Sequence, residues 1–449
     1  MTMLITVLLA ISFKTMLMAQ EPVPVKHPSL AITHVTVIDV SSGAVQTDMT
    51  VVVAGNRIAE LGKSATVPKN ARVVDGRGKF LIPGLWDLHV HLSWTTEIAL
   101  PVLVANGVTS VRDMGGRLGE LDAWRTKIEA GLLVGPRIVR VGPILNGRSF
   151  NPLQMVPGNP DETRGVVRAL KFVGVDFIKV HRRLPRDSYF ALIDEAKKQG
   201  LTVVGHIPMT VTPEEASESG QATIEHTETL FEGTFSTGLI DSQLPDAIKK
   251  FRADGAGKLF ARFVKNHTVV TPTLVAYRSI IQSADTSTFQ DPRFRYVAFS
   301  LKKQFQQQVK PLPDSELTVI KQTFAEFLEV VRQMNRSGVT LMAGSDIAGP
   351  RVPGFTLHDE LALMVEAGLT PVQALRAATL TPAEVLHKVN DLGSIEGGKI
   401  ADLLLLDANP LEDIHNTQRI SAVVLNGRFF DRKALDSLLS ETEVSAKLK

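Results

Sequence analysis

Eight apolar, strand-like runs recur between residues 85 and 346, at 85–91, 107–112, 137–145, 176–180, 201–206, 222–226, 268–275 and 339–343. Most are separated by segments of helical period. Such alternation selects an α/β fold in which helices, for example 187–199, cover a parallel sheet, and eight repeats predict a (β/α)8 TIM barrel. A doubly wound open sheet competes, but no glycine-rich dinucleotide fingerprint follows an early strand. After the last run, Thr370-Pro371-Val372-Gln373 and Thr381-Pro382-Ala383-Glu384 each combine a capping hydroxyl, an early Pro and a reciprocal Gln or Glu. Two further helices are predicted to start there and to finish the outer layer.

The two ends differ from the middle. Residues 31–38 are β-rich, and Val51-Val52-Val53 and Ile58 flank a turn at Gly55-Asn56. Near the other end, 400–406 and 423–425 read as strands, with Asn426-Gly427 as a two-residue hairpin turn before Phe429-Phe430. Neither end has enough apolar surface for an independent unit. The prediction is a small β-sandwich domain built from 21–83 plus 395–449, beside a barrel over 84–394. Within the barrel, 278–336 is too long for an ordinary connection and contains helical runs such as 317–334. It is expected to overhang the barrel mouth, as a lid or substrate wall, or equally as a structural cover or subunit contact.

Residues 1–20 resemble an export signal, apolar over 4–13 and reaching a small residue at Ala19. No basic residue precedes that run, Lys14 interrupts it, and a mis-assigned start or vector-derived leader would look similar. The expectation is export to a periplasmic or extracellular location, with a cytoplasmic protein as the alternative. The run is too short for a membrane span, so no stable span is expected.

Forty-nine basic against forty-seven acidic residues leave a formal charge of +2, which argues against a polyanionic partner such as nucleic acid. The chain has no cysteine, which excludes disulfides, thiolate metal sites, iron–sulfur clusters and a cysteine nucleophile. A metal would have to sit on His, Asp, Glu or a modified Lys.

In a strand, residues i and i+2 point the same way, so His89 and His91 in Asp87-Leu88-His89-Val90-His91 present two imidazoles side by side. Alone, such a pair is an ordinary loop feature. The company it keeps changes the reading, because barrel enzymes carry their reactive groups at the C-terminal ends of strands. Lys179 lies in the fourth run, His206 ends the fifth, His226 ends the sixth, and Asp346 ends the eighth. Each has a bland alternative: a snorkelling lysine, a hydrogen-bonded core histidine, a helix cap. Six coincidences at one end of separate strands favour a site. His181, His267, His358 and His387 lack that placement and keep a structural reading.

On these residues the chain resembles the amidohydrolase superfamily, with His-x-His on the first strand, Lys on the fourth, single His on the fifth and sixth, and Asp on the eighth. The lead-in Leu81-Ile82-Pro83-Gly84 and the closing stretch from Leu392-Gly393-Ser394 to Lys399-Ile400-Ala401-Asp402 also fit. Within it, the chain is most similar to the imidazolonepropionase-like and Xaa-Pro dipeptidase-like branch, which includes dipeptidases, arginine and lysine carboxypeptidases and an ochratoxin-hydrolysing amidase. The resemblance implies two divalent metal ions, most often zinc, with Lys179 carboxylated by carbon dioxide between them. His89, His91 and Asp346 would bind one ion, and His206 and His226 the other. A hydroxide bridging the ions would attack, while Asp346 orients it and carries its proton to the leaving nitrogen.

Tyr277, just past the seventh run, is the candidate donor to the oxyanion, and Arg148, after the third, is the candidate contact for a substrate carboxylate. Related dipeptidases carry a Gly- and His-rich loop where Arg148 lies, and this departure puts dipeptidase activity in doubt. The implied function is metal-dependent hydrolysis of an amide or peptide bond in a small molecule such as a dipeptide or N-acyl amino acid, by an enzyme that forms a homo-oligomer. A cyclic imide, lactone, ester or organophosphate is the alternative substrate. From another class, a non-catalytic scaffold of the same fold would be expected to have lost ligands.

Overall fold

The computed structural model describes residues 29–449 apart from 150, 232–240, 309–310 and 349. The export signal expected over 1–20 therefore lies outside the described residues. Five strands open the chain: β1 (Leu30–Ile38), β2 (Val45–Ala54), β3 (Arg57–Gly62), β4 (Arg72–Asp75) and β5 (Phe80–Pro83). The middle carries β6 (Leu85–Val90), β7 (Val108–Asp113), β8 (Arg137–Arg140), β9 (Ile144–Leu145), β10 (Gln154–Met155), β11 (Phe177–Val180), β12 (Thr202–Gly205), β13 (Thr223–Glu225) and β14 (Val269–Thr271). β15 (Leu403–Leu406), β16 (Ile420–Leu425) and β17 (Arg428–Asp431) follow.

The two chain ends share one eight-stranded sheet in the order β17-β16-β15-β5-β1-β2-β3, with β4 parallel on β1. The two-residue pleat divides its side chains between two cores. Leu403 and Leu405 pack with Leu30, Ile32, Val51 and Ile58, whereas Leu404 and Leu406 join the large core with Ile82, Leu103 and Val104. The approach is close, since a Cβ on Gly107 would lie 2.6 Å from Leu404. The hairpin at Asn426-Gly427 forms as expected, with φ of 48° and 81° that favour these two residue types. A helix over Arg432–Leu448, capped by Asp431, was not anticipated where sheet was expected. It packs on the helix Ala99–Ala105.

In the middle, β6-β7-β8 form one parallel sheet and β10-β9-β11-β12-β13-β14 another. The expected third run divides into β8 and β9. The expected eighth run is not a regular strand: 340–347 runs between β14 and β6, held by isolated parallel bridges Val270–Leu341 and Val90–Ile347. The reason is local. Gly344 lies against His89 and Thr271, where a Cβ would approach within 3.0 Å, and Asp346 turns to φ 48°, so the extended ladder cannot continue. On the other flank Asp176 N–H bonds Arg140 C=O at 2.9 Å, leading β8 toward β11.

Helices cover these strands. Arg186–Lys198 buries Tyr189, Leu192, Ile193 and Ala196 at helical spacing. Of the long region 278–336, the helix Asp314–Arg336 sends Ile320, Phe327, Val330, Val331 and Met334 into the main core, so it belongs to the covering layer. Residues 286–308 instead form short helices around their own cluster, including Phe289, Phe294 and Phe305. No helix among the described residues is long and apolar enough to cross a membrane.

The Thr370 capping box forms as read, with Gln373 as its reciprocal partner. The one expected at Thr381 does not. That helix starts earlier, at Leu380, and Glu384 reaches Arg376 at 3.2 Å instead, because the short path from the preceding helix leaves no extended residue at position 381. Replacing Thr370 with alanine is expected to lower stability by about 1 kcal/mol, read as a shift in denaturant midpoint at unchanged slope.

Candidate active site

Parallel pairing puts the C-terminal ends of β11, β12, β13 and β14 on one side of the molecule, and the parallel bridges of 340–347 to β14 and β6 bring the end of β6 to the same side. His89 lies in β6 and His91 one residue past it, Lys179 lies in β11, and His206 and His226 directly follow β12 and β13. The 340–347 segment brings Asp346 beside them. Ring centroids of His89 and His226 are 4.6 Å apart, those of His206 and His226 4.6 Å, and those of His89 and His91 5.4 Å. Lys179 Nζ is 3.4 Å from His89 Nε2, and Asp346 Oδ1 is 3.5 Å from the Nε2 of both His89 and His91. Donor atoms of His89, His226 and Asp346 all lie within 4.8 Å of one another.

Outer hydrogen bonds fix the rings. His89 Nδ1 meets Glu225 Oε2 at 3.2 Å, and Glu225 Oε1 accepts from Arg112 Nη2 at 2.7 Å. Arg112 is wholly buried and also donates to Leu88 C=O at 2.7 Å. His91 Nδ1 bonds Gly115 C=O at 3.2 Å, and His226 Nδ1 meets Thr273 Oγ1 at 2.6 Å. With Nδ1 occupied, these three rings direct Nε2 inward, the arrangement that orients imidazole ligands around a cation. Asp87 accepts from the backbone N–H of Ser345 at 2.9 Å and from its hydroxyl, which ties the Asp346 segment to β6.

Burial sets the protonation. It holds His89, His206 and His226 well below the usual imidazole range, and with Lys179 nearby it brings His91 to about 3. All four rings are therefore neutral near pH 7, with lone pairs free to bind metal. Burial also lowers Lys179 to about 8 and raises Asp346, against the pull of Arg351.

The donors fit divalent cations. Four neutral imidazoles and a carboxylate form a nitrogen and oxygen set of the kind zinc takes. His206 Nδ1 is buried without a hydrogen-bond partner, and Lys179, 1% exposed, has no carboxylate within 4.0 Å among the described residues. His226, Thr273 and Asp346 also sit at φ of 70°, 45° and 48°. Such left-handed backbone costs roughly 1–3 kcal/mol per residue and gathers where a site demands it.

The amidohydrolase family model matches residues 80–430. The chain belongs to the amidohydrolase family. Metal-dependent hydrolysis of amide or peptide bonds is the activity that membership carries. This amidohydrolase is 25% identical to the ochratoxinase of Aspergillus niger over 439 residues, covering 83% of this chain and 80% of that one. It is 22% identical to the imidazolonepropionase of Symbiobacterium thermophilum, covering 77% and 79%. In fold it is similar to a Xaa-Pro dipeptidase solved with bound methionine, with a TM-score of 0.69, 22% identity and coverage of 90% and 100%. These relatives agree with the branch resemblance.

The structure of this amidohydrolase treats the other candidates differently. Tyr277 is not at a strand end: β14 stops at Thr271, and Tyr277 lies on the helix Leu274–Ser283. It is 3% exposed, stacked on Phe324 and edge-on to Phe327, so the apolar layer has drawn it in. Its hydroxyl is buried without a hydrogen-bond partner, and the charge of Glu228, whose carboxylate is 4.0 Å from His226 Nδ1, acts on it. Arg148 is exposed in the bend after β9. Besides the residues that hold the rings, His181 and Arg351 also lie at the site without having been candidates for it. His181, placed among the structural histidines, lies with its ring centroid 4.2 Å from His206, and its i+2 spacing from Lys179 was the available signal. Arg351 contacts Asp346 and had no signal in the pattern. His358 keeps its structural reading, bonding Thr417 and Asn106 in the core.

Proposed function

We propose that this amidohydrolase cleaves an amide or peptide bond in a small molecule, a dipeptide, N-acyl amino acid or similar carboxamide, at a centre holding two divalent cations, zinc foremost. The convergence of four neutral imidazoles, buried Lys179 and Asp346 at the C-terminal ends of parallel strands carries this reading. His89, His91 and Asp346 would hold one cation, and His206 and His226 the other. Lys179, as its carboxylated form, would serve both. Burial lowers Lys179 to about 8 and so raises the share of neutral amine, the form that reacts with carbon dioxide to give an anionic oxygen donor. When bound, the cations would lower the pKa of a water molecule toward 7 and polarise the scissile carbonyl.

The chain's own groups do the remaining work. Asp346, with one oxygen toward His89 and His91, takes the proton of the attacking water and delivers it to the leaving nitrogen. Glu225 and Thr273 keep the His89 and His226 rings turned inward. Burial of the cluster excludes bulk water and strengthens each of these interactions.

The finer architecture belongs to the same proposal. Residues 84–394 would form a (β/α)8 barrel, supported by the parallel bridges on both sides of 340–347 and by the Asp176–Arg140 bond. Residues 21–83 and 395–449 would form the β-sandwich, supported by the separate core on the outer face of their shared sheet.

Protein purified without chelator is expected to hold about two equivalents of divalent metal per chain and to hydrolyse N-acyl amino acids or dipeptides in preference to lactones and phosphotriesters. Elemental analysis finding no metal, with no hydrolysis gained on adding zinc or manganese plus bicarbonate, would overturn the reading.

A further inference from the structure

We propose that Arg351 is the positioning residue of Asp346. Its guanidinium makes three contacts: Nη2 donates to Asp346 Oδ2 at 3.0 Å, Nε to Asp346 C=O at 2.5 Å, and Nη1 to Ser279 Oγ at 2.8 Å. The side chain is only 12% exposed. Asp346 needs such a hold, because φ of 48° is a conformation that aspartate adopts at a cost, while its N–H is bonded to His89 C=O at 2.7 Å. Gripping backbone and carboxylate together fixes both the main chain and the side-chain rotation.

The consequence is a division of labour between the two oxygens. Oδ2 is occupied by Arg351, and Oδ1 is left 3.5 Å from both His89 Nε2 and His91 Nε2. A planar guanidinium can hold a carboxylate oxygen and a neighbouring carbonyl at once, which a lysine ammonium on a flexible stem does less well. Ser279 extends the hold across the site. It lies on the helix Leu274–Ser283, whose first N–H groups bond buried Glu360, and that helix follows Thr273, the partner of His226. Arg351 thus ties the aspartate on one side of the cluster to the helix supporting a histidine on the other. Its outer edge borders a cavity of about 240 Å³ lined also by Val275, Gln282 and Arg293.

This proposal rests on Asp346 being a metal ligand and proton carrier, so Asp346→Asn is measured beside Arg351→Gln and Arg351→Lys. Zinc affinity by chelator competition, kcat, KM and melting temperature are read for each. Arg351→Gln is expected to weaken zinc binding about 10- to 100-fold and to lower kcat with KM little changed. Arg351→Lys should recover part of both, which keeps the test informative if the glutamine variant folds poorly. Raised KM alone, with zinc affinity and kcat intact, would make Arg351 a substrate contact and overturn the proposal. So would a lower melting temperature with all three other quantities unchanged. If Asp346→Asn itself leaves zinc affinity unchanged, the ligand reading of Asp346 fails; if it weakens zinc binding while Arg351→Gln does not, only the role of Arg351 falls.

Discussion

Lys179→Ala is expected to abolish most hydrolysis, with kcat falling on the order of 10³-fold or more, and to lower the metal content of the purified protein. Lys179 is 1% exposed, lies in β11 and is 3.4 Å from His89 Nε2. A lysine in that setting is costly as a cation, because the loss of water on burial outweighs the pull of the Glu225, Asp346 and Asp113 carboxylates. As an anionic carbamate it would instead face four neutral imidazoles and any cations they hold. Truncation to alanine removes that donor and leaves a gap at the centre of the cluster. A short carboxylic acid supplied in the buffer should restore part of the activity, since it offers oxygens where the carbamate stood. Unchanged metal content and kcat in the variant would remove Lys179 from the site.

Glu225→Ala should cost about 3–5 kcal/mol of stability, because it leaves the Arg112 guanidinium charged and unpaired in the core. Both side chains are 0% exposed, so water cannot take the place of the lost carboxylate. Glu225→Gln keeps the shape and one acceptor oxygen and should cost less. The two variants also differ at the site, where Glu225 Oε2 meets His89 Nδ1 at 3.2 Å. A ring freed to rotate would bind metal more weakly, so alanine should reduce both the unfolding midpoint and zinc affinity. Denaturant unfolding of metal-free and metal-loaded protein separates the two effects. Equal stability of the alanine variant and the parent would show that the Arg112–Glu225 pair is not needed to hold this core together.

The expected ligand residues were legible because each stands in or at the end of an apolar run, and the period of two in a strand states which side chains share a face. His89 and His91, Lys179, His206, His226 and Asp346 could all be found in this way. Their supports could not. Glu225 sits one residue before His226 and reads as an ordinary strand glutamate, yet it points at His89, 136 residues away in the chain. Arg112 and Asp87 likewise look unremarkable until β6 and β7 are laid side by side. Tyr277 stands on a helix and not at a strand end, because the strand before it is shorter than its apolar run. β14 ends at Thr271, and the turn into the helix sends the ring toward Phe324 and Phe327.

Sequence alone determined the α/β alternation, the pairing of the two chain ends, the turn at Asn426-Gly427 and the chemical types available at the strand ends. These follow from local rules of backbone conformation, pleat and period, which operate over a few residues. Only the tertiary structure decided that the eighth run would be an irregular segment carrying Asp346 at φ 48°, and that Arg351 would hold its outer oxygen. It likewise decided that a buried arginine and glutamate would orient the first histidine. Those outcomes depend on which distant backbones approach within about 3 Å of each other, where desolvation makes a partner obligatory for every charged or polar group.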